Sequence, residues 1–133
     1  MNFLLDTHII LWAASEPEKL TAKIRSLITD ADNQLFFSPA NLWEISIKKN
    51  LGRQDFQVNA RQLWRQLLLN GYQELPISSE HTTAIDSLPN LHKDPFDRIL
   101  IAQAKVEKFH LLTADKIVIQ YGSPVFSVDT NHY

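Results

Sequence analysis

The chain has 133 residues, 44% hydrophobic and 21% charged, the make-up of one soluble globular domain able to bury a core without staples. A net charge of −2 excludes a whole-molecule field that attracts nucleic acid, so such binding must be local. The absence of cysteine excludes disulfides, thiol nucleophiles and cysteine metal sites.

The N-terminus, Met1-Asn2-Phe3-Leu4-Leu5-Asp6, has no basic start and carries an acid where a secretory signal has its apolar middle. No run approaches the ~18 apolar residues of a membrane span. A cytoplasmic protein without a membrane partner is therefore expected.

Phe3-Leu4-Leu5 reads as a short buried strand, followed by a helix from near His8. Leu20, Ile24, Leu27 and Ile28 mark one face of a second helix ending in Asp30-Ala31-Asp32-Asn33. Leu35-Phe36-Phe37 is the next strand. Ser38-Pro39 then supplies an N-cap and a first-turn proline for a helix to about Lys49. Leu63, Trp64, Leu67 and Leu68 define a helix stopped by Asn70-Gly71.

Tyr72 to Ile77 suggests a strand that Pro76 keeps short, and a helix from about Ser79 to Ser87 ends before Pro89. Asp94-Pro95 opens an apolar helix. The strand Leu111-Leu112-Thr113, a short helix near Lys116 to Tyr121 and a strand Val125-Phe126-Ser127 complete the chain. Strands alternating with helices predict right-handed crossovers and an α/β fold, a three-layer α/β/α sandwich around a central parallel sheet. In such sheets ligands bind beyond the carboxyl ends of the strands, where strand order reverses.

Four acids are expected at that edge. Asp6 directly follows the first strand, Asp115 comes two residues after Leu111-Leu112-Thr113, and Glu44 and Asp97 lie near the heads of the helices opened by Ser38-Pro39 and Asp94-Pro95. Carboxylates converging within several ångströms repel by about 1–4 kcal/mol per pair, and a divalent cation removes that cost. An oxygen-only set suits Mg²⁺ or Mn²⁺, whose chemistry is metal-assisted phosphodiester hydrolysis.

Each acid also has a structural reading. Asp6 suits a strand-end turn, Glu44 an i,i+4 pair with Lys48, Asp115 a helix cap, and Asp94 the N-cap of its helix. Asp97 stands at the third position of that helix, where an acid suits the dipole. Its neighbours Phe96, Ile99, Leu100, Ile101, Ala102 and Ala104 leave hardly any polar face, so its carboxylate needs a partner or an ion.

The stretches LLDTHIILW (Leu4 to Trp12), FSPANLWEISIK (Phe37 to Lys48), HKDPFDRILIAQA (His92 to Ala104) and LLTAD (Leu111 to Asp115) together resemble the PIN-domain ribonucleases, most closely the VapC-type toxins of prokaryotic toxin–antitoxin pairs. The resemblance runs over nearly the whole chain. It implies that Asp6, Glu44, Asp97 and Asp115 are the family's four metal-holding catalytic acids, with Thr7 and Thr113 the accompanying hydroxyls and Asp94 an extra acid beside the pocket. It also implies Mg²⁺ or Mn²⁺ dependence, endonucleolytic RNA cleavage, a homodimer and neutralisation by a cognate antitoxin, with DNA reached only through that partner.

Lys48, Lys49, Arg53, Arg61 and Arg65 meet one acid, Asp55, and form either a solvated face or a local patch for RNA phosphates. Arg98 can steady a scissile phosphate or pair with an acid. Trp12, Trp43 and Trp64 lie in apolar helical patterns and are expected in the core rather than stacked on bases. His8, His81, His92, His110 and His132 have no zinc spacing, though His8 and His92 fall near the pocket.

Gly52, Gly71 and Gly122 cannot write a P-loop or dinucleotide fingerprint, and no G-x-S-x-G elbow occurs. Two other readings stay open: a non-catalytic module whose acidic pocket accepts a partner's arginines, and a small-molecule phosphohydrolase. The second normally wants a strand-end Asp-x-Asp where this chain has Asp6-Thr7-His8.

Overall fold

The structure is a computed structural model and describes residues 1–127, so His132 lies outside the described residues. The elements in chain order are β1 (Asn2–Leu5), α1 (Thr7–Ser15), α2 (Ala22–Thr29), β2 (Gln34–Phe37), α3 (Pro39–Asn50), α4 (Ala60–Leu69), β3 (Gln73–Glu74), α5 (Ser79–Ala84), α6 (Pro95–Glu107), β4 (His110–Thr113), α7 (Lys116–Ile119) and β5 (Val125–Ser127). The strands form one parallel sheet in the order β3-β2-β1-β4-β5.

Both faces of the sheet are covered, which makes the three-layer α/β/α sandwich that the alternation of elements predicts. Successive strand residues point to opposite sides, so a doubly buried strand is a continuous apolar run. Phe3 and Leu5 of β1, Phe37 of β2 and Leu112 of β4 enter one core with Ile9 and Ile10 of α1, Ile24 of α2 and Leu63 and Leu67 of α4. Leu4, Phe36 and Leu111 enter the other with Ile99 to Ala102 of α6 and Val118 of α7. α3 contributes Ala40 to the second core and Ile45 to the first, and so bridges both layers.

Leu100 is 1% exposed in the middle of α6. Leu100→Ala is expected to lower stability by about 3 kcal/mol, read as a shift of the denaturant midpoint at unchanged slope.

Three expectations need correction. The strand foreseen over Tyr72 to Ile77 is only Gln73–Glu74: Leu75 N still donates to Phe37 O at 2.8 Å, but Pro76 has no N–H to extend the ladder. The helix from Ser79 is α-helical to Ala84 and tightens to a 3₁₀ turn over Ile85–Ser87. Not all the tryptophans are core: Trp12 is half-buried, but Trp64 is 38% and Trp43 59% exposed.

Apolar residues outnumber the places one helical stripe can bury. Leu63 and Leu67 fill the inward stripe of α4, leaving Trp64 at the rim with its Nε1 donating to Glu74 Oε1 at 3.0 Å. Trp43 packs edge-on against Phe96, with ring centroids 5.1 Å apart.

Connections from β1 lead outward to β2 and β3, then return across the sheet to β4 and β5 on its other side. Strand order therefore reverses at β1, and the carboxyl ends of β1 and β4 flank the crevice where such folds bind ligands.

Candidate active site

β1 ends at Leu5, and Asp6 is held at the reversal point by its own N–H, which donates to Leu112 O at 2.9 Å. Its side chain starts α1, with Oδ1 accepting from Thr7 N at 2.6 Å. Oδ2 accepts from Thr113 Oγ1 at 2.6 Å, and Thr113 Oγ1 in turn accepts from Asp115 N at 3.0 Å. The last residue of β4 thereby fixes the orientation of the acid after β1. Asp6 is 6% exposed, Thr7 1% and Thr113 fully buried.

Glu44 lies one and a half turns into α3 and is 4% exposed. Thr7 Oγ1 donates to its Oε1 at 2.6 Å, and Lys48 Nζ lies 2.6 Å from Oε2. Asn41, three residues earlier and fully buried, ties the same cluster to the sheet. Its Nδ2 donates to Leu5 O at 3.2 Å and to Thr7 Oγ1 at 2.9 Å, while its Oδ1 accepts from Ser38 N at 2.7 Å. Thr7 thus accepts from Asn41 and donates to Glu44, which uses its single proton once. Glu44 is the i,i+4 partner of Lys48, in a largely buried pair rather than a surface one, and its charge reaches Asp6.

Asp94 caps α6, its Oδ1 accepting from Phe96 N and Asp97 N at 2.9 and 3.0 Å. The cap brings Asp97 round to the same edge, 13% exposed, with Oδ2 2.9 Å from His92 Nε2. Asp115 caps α7 through Oδ1, which accepts from Ile117 N and Val118 N at 2.8 and 3.2 Å, and the residue is exposed. It lines an open pocket together with Asp6, His8, Trp12 and Ala114.

The acids feel one another. Burial pushes the Asp6 carboxyl up to about 6; the Thr113 hydrogen bond opposes this, and the charge of Glu44 adds to it. Burial also raises Asp97, to about 7, with the charges of Asp6, Asp94 and Glu44 adding and the His92 hydrogen bond opposing. Among the described residues no three acids or histidines form a ready-made ligand cage. Asp6 and Asp115 line one pocket and Asp97 feels the charges of Asp6, Asp94 and Glu44, without a closed coordination sphere among the described residues. Their donors are all oxygen, the chemistry of a hard divalent cation.

The structure reassigns several cationic candidates. Arg98 is half-buried at the edge of an open pocket with His92 and Lys93, and its Nη1 donates to Pro89 O at 2.9 Å and to Tyr121 Oη at 3.0 Å, so it braces the loop before α6. Lys48 is committed to Glu44, and Arg53 lies 3.6 Å from Asp55 and over the Phe56 ring. Lys49, Arg61 and Arg65 are exposed. His8 pairs with Asp55 at 3.1 Å.

Asn41 escaped the sequence reading. Its signal was there in the spacing Ser38, Asn41, Glu44, which stacks three polar residues at i, i+3, i+6 among the apolar Ala40, Leu42, Trp43 and Ile45 of the first turns.

A comparison with curated proteins gives no significant match. Among solved structures the chain is similar to VapBC2 from Rickettsia felis, determined bound to a DNA fragment from their promoter: 14% identity, TM-score 0.67, covering 95% of this chain and 96% of that one. It is also similar to VapBC-1 from nontypeable Haemophilus influenzae (20% identity, TM-score 0.64, 94% and 95% covered) and to a toxin–antitoxin complex from Klebsiella pneumoniae (17%, 0.62, 93% and 95%). At these identities the likeness is one of fold. The family model for the PIN domain matches residues 3–124, and the chain belongs to the PIN domain family.

Proposed function

We propose that the protein is a Mg²⁺- or Mn²⁺-dependent endoribonuclease, the toxin of a toxin–antitoxin pair, whose Asp6, Glu44, Asp97 and Asp115 hold the metal. The observation that carries this reading is the pair Asp6 and Asp97. Both are largely buried where strand order reverses, and both are raised by desolvation, with the charge of Glu44 adding at Asp6 and the charges of Asp6, Asp94 and Glu44 adding at Asp97. Raised, buried carboxyls of this kind cluster at functional sites, and a divalent cation offsets what their burial costs.

A divalent cation, when bound, offsets the carboxylate repulsion and supplies Lewis acidity for phosphodiester hydrolysis. The chain supplies the preorganisation. Thr113 holds Asp6 Oδ2, Thr7 holds Glu44 Oε1, and Asn41 locks Thr7 to the end of β1, so Asp6 and Glu44 are oriented before loading, and the acids have to draw together to close on a cation. Asp115 caps α7 with one oxygen, which leaves the other for the cation. Asp94 sets the start of α6 and so aims Asp97. Of the cationic candidates, exposed Lys49, Arg61 and Arg65 suit RNA phosphates better than Lys48, which answers Glu44.

Similarity to chains solved as toxin–antitoxin complexes supports a cognate antitoxin, and the promoter-bound VapBC2 complex supports contact with DNA through that partner. A homodimer, a cytoplasmic location and a single nuclease domain complete the proposal. No helix among the described residues is long and apolar enough to cross a membrane.

The test is cleavage of an unstructured RNA by antitoxin-free protein. Cuts that vanish with a chelator and return with Mn²⁺ are the expected result. RNA left intact in Mn²⁺ overturns the nuclease reading in favour of a non-catalytic acidic module.

A further inference from the structure

The helix that carries Asp97 does not fix which way its carboxylate turns, because an aspartate's terminal torsion is broad and two-fold. Something outside the helix must hold it. Its Oδ2 is met by His92 Nε2 at 2.9 Å, and His92 Nδ1 lies 2.7 Å from Tyr121 Oη. Tyr121 Oη also receives Arg98 Nη1 at 3.0 Å. Arg98 is itself pinned by Pro89 O at 2.9 Å, with longer contacts to His92 O at 3.4 Å and Ile85 O at 3.5 Å.

Arginine only donates, so Arg98 gives a hydrogen to Tyr121 Oη. An ionised Asp97 carboxylate only accepts, so it takes the N–H of His92 Nε2; in the neutral imidazole Nδ1 is then the acceptor for the Tyr121 hydroxyl. The chain begins and ends on α6 and passes through Tyr121, two residues beyond α7, the helix that Asp115 caps. It therefore ties together the elements bearing two of the four acids.

We infer that His92 and Tyr121 are positioning residues that aim the Asp97 carboxylate at the metal. This rests on the proposed metal site. With Oδ2 held by His92, Oδ1 is the oxygen left for a cation, the usual service of outer-shell partners to metal ligands. His92 is 17% exposed and its ring meets Tyr121 edge-on with centroids 5.4 Å apart, so the imidazole is itself held by packing.

The experiment is a titration of the full-length protein with Mn²⁺ alone, followed by calorimetry or by the electron paramagnetic resonance of free Mn²⁺, with thermal unfolding of each variant alongside. Tyr121→Phe, which touches no proposed ligand, is expected to weaken Mn²⁺ binding by about tenfold with little change in melting temperature. His92→Phe keeps the ring and loses the donor, and should bind as weakly. His92→Gln returns an N–H near the position of Nε2, and should recover affinity to within about threefold of the parent.

Parent-like Mn²⁺ affinity in Tyr121→Phe and His92→Phe, beside a loss in Asp97→Asn, overturns the relay and leaves the metal site standing. Affinity lost only in step with melting temperature, and not restored by His92→Gln, reduces the relay to loop packing and also overturns it. Parent-like affinity in Asp97→Asn overturns the metal-site reading itself.

Discussion

Asp6→Asn is expected to lower metal-dependent RNA cleavage by a factor on the order of 10²–10³ and, at neutral pH without metal, to raise stability by about 1–3 kcal/mol. The two effects have one cause. Asparagine caps a helix as well as aspartate does, so Thr7 N keeps its acceptor and the start of α1 is preserved. Thr113 Oγ1 can accept from the new amide as it already accepts from Asp115 N.

What disappears is a charge that burial and Glu44 oppose, raising the carboxyl from 3.8 to about 6. A structural acid behaves in the opposite way, since its removal destabilises. Parallel assays of RNA cleavage and chemical denaturation decide: activity kept together with stability lost makes Asp6 a turn residue only.

The metal-free protein is also expected to lose stability as pH rises from about 4 to about 7, and Mn²⁺ should restore it at the upper end. Asp6 and Asp97 have folded-state values of about 6 and about 7 against 3.8 for an ordinary aspartate. Between these limits the native state holds more protons than the unfolded state, so stability falls with pH. Their destabilisation is absent below 3.8 and complete above about 7.

At about 1.4 kcal/mol per unit, the Asp6 shift alone corresponds to an effect of roughly 3 kcal/mol. Saturation at a hundred times the dissociation constant returns about 2.7 kcal/mol. The informative quantity is the difference between parent and Asp6→Asn across pH, which isolates the Asp6 carboxyl. A difference that does not grow toward neutral pH, or that Mn²⁺ leaves unchanged, sinks the linkage.

The sequence by itself determined the layers. Short runs such as Phe3-Leu4-Leu5 and Leu111-Leu112, apolar at every position and bounded by polar residues, fit doubly buried strands, and Ser38-Pro39 and Asp94-Pro95 mark helix starts by local hydrogen bonding that needs no neighbour. The acids were legible for the same reason: each sits at a strand end or in the early turns of a helix, so chain order alone sends it to the carboxyl edge.

Tertiary structure decided how those acids are held. That Thr113 orients Asp6 across 107 residues, that Asn41 locks Thr7, and that Arg98 donates to Tyr121 are facts of which side chains meet across elements. Periodicity cannot supply them, because it fixes which face a residue takes and not what stands opposite. Trp43 shows the same limit: an apolar pattern counts candidates for burial, and only packing chooses which are left outside.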